Sequence, residues 1–230
     1  MYTNDITSVI GHSKISLYAD DTKLYRKIND NYDSELLKND TEGIISWSIS
    51  WQLPLNPSKM VFLPIPYNED RSYLVLGSEV LPKTTSKDLG IIMQNNLRFK
   101  EHCITISRKA TFVCINIKMC FQNHHVFFYL SLFMTYVRPI LESNTVVFSP
   151  YTVEDIDVME RVQRRFTKYL PGLYNSSYDE RRKYLGIKSL EERRIFFDLI
   201  FLFKVITGQT DLNPDSFFSF NTNPTRGHPL

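Results

Sequence analysis

Three helices whose start and end are both marked in the sequence constrain the fold of this 230-residue chain more than any other feature. Thr152, Ser177 and Ser189 each stand three residues before an acidic residue. At such a start the hydroxyl accepts a backbone N–H and the acid reaches back to the chain. A glycine that can end a helix follows each segment, and these glycines are Gly172, Gly186 and Gly208. The pattern predicts helices over 153–170, 178–185 and 190–207.

The rest of the chain falls into two parts with different local signals. Apolar periodicity predicts further helices over 100–119 and 125–144. Before residue 97, short apolar runs are interrupted by Pro, Gly and Asn, which is typical of strands and turns. The expected fold class is therefore α+β, with a domain of strands and a helix over 1–97, a helical domain over 98–210 and a flexible tail over 211–230.

The first part is predicted to contain strands and one amphipathic helix. The helix is expected over 33–51, ended by Pro54 and Pro57. A hairpin is expected over 72–81 with Gly77 at the first turn position. The remaining predicted strands are 15–18, 22–25, 60–65 and 89–93.

Composition excludes several classes of protein. Hydrophobic residues make up 43% and charged residues 23%, which is typical of a globular chain, and the net charge of +2 says little about partners. Apolar stretches over 126–137 and 195–206 are shorter than the about 20 residues of a membrane span, so buried helices are expected. No secretion signal is visible, and three cysteines without CxxC spacing predict reduced thiols, which favours the nucleus or cytoplasm.

Charge is segregated along the helical part. Residues 161–183 carry seven basic side chains and two acids, whereas residues 154–160 carry four acids and no base. Such a segment is expected where a helix face meets phosphate, but charge alone favours the simpler interpretation, a solvated helix face. The basic residues are Arg161, Arg164, Arg165, Lys168, Arg181, Arg182 and Lys183.

Two adjacent aspartates, Asp20 and Asp21, stand between the first two predicted strands. Asp is common in turns, so the pair alone indicates no more than a solvated turn. Carboxylates held on a rigid hairpin are also the hard oxygen ligands that Mg²⁺ prefers. Two Mg²⁺ ions about 3.5–4 Å apart can activate the attacking oxygen and stabilise the leaving oxygen in nucleotidyl transfer.

The flanking residues resemble a known family. Tyr18-Ala19-Asp20-Asp21, between an apolar strand and Thr-Lys-Leu-Tyr, looks like the catalytic motif of reverse transcriptases from non-LTR, LINE-like retrotransposons. Further segments are similar to signatures of the same family, in the same order, and the closest likeness is to jockey-like elements. These segments are 2–6, 51–59, 88–102, 136–142 and 160–166.

The resemblance implies a truncated polymerase palm, antiparallel strands with a packed helix, followed by an all-α thumb bundle. It implies that Asp20 and Asp21 bind Mg²⁺ or Mn²⁺, and that Lys59 lies near the phosphates of the incoming nucleotide. The hairpin at Gly77 would brace the primer terminus. The partners would be an RNA template and a DNA primer, contacted through Arg161, Arg164, Arg165 and Lys168. Arg138 is open between a phosphate contact and an ion pair with Glu142.

The sequence departs from the family pattern in one important respect. Palms of this type need a third aspartate on an upstream strand, as well as fingers, and neither is present in these residues. The first hypothesis is therefore a fragment of an RNA-directed DNA polymerase that is inactive in isolation. The alternatives are a non-catalytic nucleic-acid-binding or interaction module and a translated relic.

Overall fold

The computed structural model describes residues 4–65, 72–121 and 125–219. The chain divides into two compact units, Met1–Ser86 with Gln94–Leu97 and Lys87–Met93 with Arg98–Leu230. The structure combines helices with short antiparallel two-stranded sheets and is compatible with the expected α+β class. Residues 220–230 of the expected tail lie outside the described residues.

The first unit contains a β-hairpin and one long helix. Strands β1 (Lys14–Tyr18) and β2 (Asp21–Tyr25) pair antiparallel, as predicted. Helix α1 (Asn31–Ser50) matches the predicted amphipathic helix within two residues at its start and one at its end. It begins where the side chain of Asp30 accepts a hydrogen bond from the N–H of Asp33, which satisfies one free donor of the first turn.

A small apolar core holds the hairpin against α1 and a short 3₁₀ helix, Asn4–Val9. Ile6, Ile44 and Trp47 are buried, and side chains from both strands pack on them. Gly43 permits this approach, because a β-carbon at that position would lie 2.9 Å from the carbonyl oxygen of Val9. The partly buried residues around this core are Val9, Ile10, Ile15, Leu17, Leu24 and Leu55.

Asp40 on α1 fixes the loop that leads into β1. Its carboxylate accepts hydrogen bonds from the backbone N–H groups of Gly11 at 2.9 Å and His12 at 3.1 Å, and only 3% of the residue is exposed. Burial raises the pKa of Asp40, but hydrogen bonds from Ser13, Gly11 and His12 together lower it below its usual value. The charged form is therefore the one that the folded loop binds.

The second hairpin turns one residue earlier than predicted. Strands β3 (Tyr73–Val75) and β4 (Ser78–Val80) pair with Val75 opposite Ser78, so the turn residues are Leu76 and Gly77. Both have positive φ, +49° and +75°. Positive φ at both central residues is the type I′ geometry, which matches the twist of the strands and places glycine second rather than first.

A third hairpin follows the same rule. Strands β5 (Thr85–Asp88) and β6 (Ile91–Gln94) pair, and Leu89 and Gly90 form the turn with φ of +44° and +89°. The predicted strand 89–93 was wrong at its start, and β5 was not predicted. Its polar sequence, Thr-Ser-Lys-Asp, carries no strand signal.

The predicted strand 60–65 is also wrong. Within it only Phe62 makes a β-bridge, to Pro82. Pro64 interrupts the run, and proline cannot donate to a strand ladder, so a run that contains it and faces another proline does not extend into a sheet.

The second unit is a bundle of helices around a continuous apolar core. Helix α2 (Lys100–Cys120) packs along the helix Val153–Lys168. In the apolar core of this unit, Phe133 and Phe166 pack together with ring centroids 4.7 Å apart. Cys103 and Cys114 are buried, and burial raises the pKa of each thiol to about 12, so both stay protonated. Further fully buried members of this core are Leu141, Phe148, Met159 and Leu190.

One helix, predicted over 125–144, contains a wide turn. It runs as α3 (Val126–Leu132), a π-helical turn over Phe133–Val137 and α4 (Arg138–Glu142). Pro139 has no N–H and its ring would collide with the carbonyl four residues before it, and an extra residue in the preceding turn relieves both problems. A short helix that was not predicted, α5 (Thr145–Phe148), follows after a left-handed Asn144.

The marked helix boundaries are confirmed with one exception. Helices α6 (Val153–Lys168), α7 (Tyr178–Leu185) and α8 (Leu190–Ile206) begin where the cap hydroxyl accepts a backbone N–H. At Ser177 and Ser189 the acid three residues later also accepts the backbone N–H of the cap residue. At Thr152 the carboxylate of Asp155 accepts a hydrogen bond from the threonine hydroxyl instead. Gly172 lies beyond the end of α6 and does not cap it.

Helix α8 is not the buried helix that its apolar sequence predicted. Among its residues Leu190, Arg194 and Val205 are buried, whereas Phe196, Leu199 and Phe203 are more than half exposed. No helix among the described residues combines the length and apolarity that are needed to cross a bilayer.

Candidate functional site

The two aspartates of the Tyr-Ala-Asp-Asp motif lie at the tip of the first hairpin. Tyr18 is directly opposite Asp21, so Ala19 and Asp20 are the two turn residues and Asp21 opens β2. Ala19 has a φ of +53°, a conformation that costs a residue with a β-carbon about 1 kcal/mol or more. Both aspartates are exposed. The neighbouring carboxylates are thus presented to solvent on a backbone that the strand pairing fixes.

These two carboxylates fit part of a metal site. Mg²⁺ commonly takes one or two protein carboxylates and completes its shell with water or substrate phosphates. No cluster of three or more His, Cys, Asp or Glu side chains suited to a metal is found among residues 4–65, 72–121 and 125–219. Among the described residues the hairpin tip therefore carries two exposed carboxylates and no complete set of protein ligands for a metal.

Lys59 lies in the same unit as the aspartates, but in a different local structure. It ends a one-turn 3₁₀ helix, Pro57–Lys59, that begins where the side chain of Asn56 accepts the N–H of Ser58 at 3.1 Å. Its side chain is exposed. In the described part of the chain, no hydrogen bond or ion pair joins Lys59 to Asp20 or Asp21.

The four predicted nucleic-acid-binding residues share one exposed face of α6. Their spacing of three, four and seven residues places them on a single stripe. The stripe is Arg161, Arg164, Arg165 and Lys168. Asp157 neutralises part of it, because Arg161 donates to its carboxylate at 2.6 Å and Arg164 at 3.0 Å. Hydrogen bonds from these two arginines lower the pKa of Asp157. One carboxylate faces four cations, so the stripe keeps a positive charge.

The opposite face of α6 is buried and polar at selected positions. The N–H of Leu190 donates to the carboxylate of Glu160 at 2.9 Å, and the Tyr178 hydroxyl donates to its other oxygen. Gln163 donates to the Tyr178 hydroxyl at 2.9 Å and to the carbonyl of Lys188 at 3.0 Å. This network fixes the rotation of α6 about its axis and thereby turns the cationic stripe outwards.

The charge distribution had suggested that the basic segment 161–183 forms one charged face. In the structure it does not. Arg181 is buried, with 4% exposure, and donates to the hydroxyl of Thr167 at 3.2 Å and to the carbonyl of Arg164 at 3.3 Å. Arg182 pairs with Asp179 at 2.8 Å and Glu192 at 3.0 Å. Only the α6 part of the segment presents a cationic stripe.

Sequence reasoning missed two exposed tyrosines that follow the stripe. Tyr169 is 74% exposed and the ammonium of Lys118 lies 3.3 Å from its ring centroid. Tyr174 is 69% exposed and Lys168 lies 4.9 Å from its ring centroid. Each ring lies against a cation and remains largely exposed. The sequence shows that Lys168 is followed by Tyr169, a basic residue next to an aromatic one. It does not show that Lys118 of α2 lies against Tyr169, because tertiary packing makes that contact.

Arg138 makes the ion pair that was one of the two open readings. Its Nε lies 3.6 Å from the carboxylate of Glu142, one helical turn on. The same carboxylate accepts two hydrogen bonds from Arg193 of α8, one of them at 2.9 Å. Two guanidinium groups therefore share one carboxylate.

Comparison with known proteins identifies a relative that is itself uncharacterized. An uncharacterized protein of Caenorhabditis elegans is 26% identical over 145 residues, which covers 57% of this chain and 73% of the relative. No protein-family model and no solved structure matches the sequence.

Proposed function

We propose that this chain is a segment of the reverse transcriptase of a jockey-like non-LTR retrotransposon, and that α6 binds the backbone of an RNA template–DNA primer hybrid. The observation that carries the binding part is the stripe on α6. Arg161, Arg164, Arg165 and Lys168 are exposed on one face, whereas the polar residues between them are buried. A regular row of cations contacts phosphates and does not read base sequence.

The polymerase part of the proposal rests on the order of the motifs and on the first hairpin. In this proposal the first unit is a partial palm, in which Asp20 and Asp21 bind Mg²⁺ or Mn²⁺ and Lys59 contacts the phosphates of the incoming nucleotide. The helical unit is the thumb. The bound metal would activate the attacking hydroxyl and stabilise the leaving phosphate. The role of this chain is to supply two carboxylates on a fixed turn, and a third must come from elsewhere.

Salt-dependent binding tests the stripe. Fluorescence anisotropy with a labelled RNA–DNA hybrid gives the dissociation constant at several salt concentrations. The slope of log K against log salt reports the number of phosphates contacted, at about 0.7–0.9 per contact. Replacing Arg164 and Arg165 with Gln removes two cations, so we expect the magnitude of the slope to fall by about 1.4–1.8.

The matched control replaces two exposed lysines of the other unit, Lys27→Gln with Lys38→Gln. It removes the same charge, so an equal loss of slope would show that only net charge matters and would refute the stripe. Asp20→Asn helps to separate the two candidates: hybrid binding that this change leaves unaffected, and that the change at Arg164 and Arg165 weakens, favours a non-catalytic binding module.

Catalysis is tested separately by primer extension on an RNA template with Mg²⁺. We expect no extension by this chain, since two-metal transfer needs carboxylates beyond Asp20 and Asp21. Robust extension that Asp20→Asn abolishes would show that the inactivity part of the proposal is wrong and the polymerase part right. A non-catalytic binding module is the second candidate. It is favoured if the chain binds the hybrid but the hairpin with Asp20 and Asp21 does not bind Mg²⁺.

A further inference from the structure

A cleft in the helical unit lies apart from the α6 stripe. It has a volume of about 520 Å³ and is formed by the end of α4, the turn into α5 and the middle of α8. Two cations, Arg138 and Lys204, line it from opposite helices. Phe197 and Phe201 contribute an apolar wall, and the left-handed Asn144 lies at the turn.

The charges around this cleft are out of balance. Glu142 is the acid that lines it, and Arg193 already occupies both of its carboxylate oxygens. Arg138 reaches the same carboxylate only at 3.6 Å, and burial together with the nearby Arg193 lowers its pKa. Asp198, also on α8, accepts a hydrogen bond from Ser149 at 3.3 Å and is not part of the lining.

We propose that this cleft binds a phosphate group, with Arg138 and Lys204 as its two cationic ligands. An arginine that is only partly paired in a half-buried cleft offers a fork of donors that matches phosphate oxygens. The lysine supplies a second charge from the facing helix. The volume exceeds that of a phosphate alone, so the phenylalanine wall is suited to the base of a phosphate ester. The source is either a free nucleotide or the backbone of a polynucleotide.

The binding site can be tested without disturbing the fold. Arg138→Gln leaves Glu142 paired with Arg193, and Lys204 is exposed, so both variants are expected to fold as the natural chain does. Calorimetric titrations with inorganic phosphate, adenosine monophosphate, adenosine and a single-stranded ten-nucleotide DNA identify the ligand. We expect Arg138→Gln to weaken phosphate-dependent binding about tenfold or more and Lys204→Gln about threefold.

The outcomes separate the two sources and the two sites. Binding of phosphate and the monophosphate, but not of adenosine, with the expected losses, identifies a free phosphate ester. Binding of the oligonucleotide alone with the same losses identifies a backbone phosphate. The Arg164→Gln, Arg165→Gln variant must retain cleft binding, so failure of the α6 stripe leaves this test intact. If no ligand binds, or if the two cleft variants bind like the natural chain, the proposal is wrong.

Discussion

The buried network behind the α6 stripe gives a stability prediction that follows directly from its geometry. In Tyr178→Phe the ring remains, so no cavity forms, but the hydroxyl that donates to Glu160 is lost. Gln163 loses one acceptor and keeps the carbonyl of Lys188 at 3.0 Å. Glu160 keeps the N–H of Leu190 at 2.9 Å. Two hydrogen bonds are therefore lost, and the one to the buried carboxylate alone contributes about 1.5–3 kcal/mol to the free energy of unfolding.

The assay can distinguish the two units because of where the tryptophans lie. The chain has two tryptophans, Trp47 and Trp51, and both belong to the first unit. Tryptophan fluorescence in a urea titration therefore follows that unit, and circular dichroism at 222 nm adds the helical unit. With a urea slope of about 2 kcal/mol per molar, the dichroism midpoint of Tyr178→Phe should fall by about 1 M while the fluorescence midpoint stays unchanged.

Tyr184→Phe is the matched control. It removes a hydroxyl from the same helix, but its residue is 60% exposed and its ring stacks on Phe127 without needing the hydroxyl. We expect a change below about 0.5 kcal/mol. If Tyr178→Phe and Tyr184→Phe unfold at the same urea concentration, the network does not stabilise α6 and the explanation of its orientation fails.

Three further predictions concern both units. Asp40→Asn should destabilise the first unit by about 1.5–3 kcal/mol at pH 7, measured by tryptophan fluorescence. Folding lowers the pKa of Asp40, so the natural chain should lose this stabilisation as the pH falls below the unfolded value of 3.8. The free energy of unfolding of the variant should depend less on pH in this acidic range. An equal pH dependence of the two chains would refute this. Gly43→Ala places a β-carbon 2.9 Å from a backbone oxygen and should lower the fluorescence midpoint, and an unchanged midpoint would contradict the packing. A thiol reagent at pH 8 should react rapidly with exposed Cys120 alone, and with Cys103 and Cys114 only after unfolding; rapid labelling of all three in the native chain would contradict their burial.

The elements that local chemistry specifies were predictable. The capping boxes at Ser177 and Ser189 fixed two helix starts, because a hydroxyl and an acid three residues apart satisfy the first free N–H groups wherever the helix lies. The first hairpin, with Asp20 in its turn, was also predicted, because strand-like runs on either side of a turn are local signals as well. The turn at Gly77 was predicted one residue too late and the turn at Gly90 was not predicted, because the pairing of the strands decides which two residues form the turn.

Tertiary packing decided what the local pattern left open. The sequence determined that 161–168 is a helix rich in arginine, and its spacing determined that four cations share a stripe. It did not determine which face is outside. That face is set by Glu160 and Gln163, whose partners on α7 and α8 lie 15 to 30 residues away. The sequence also failed to predict the burial of Arg181 and of α8. Arg181 is a cation but is buried, whereas α8 is apolar but leaves aromatic rings exposed. Burial depends on which surface the neighbouring helices cover, and no local pattern contains that information.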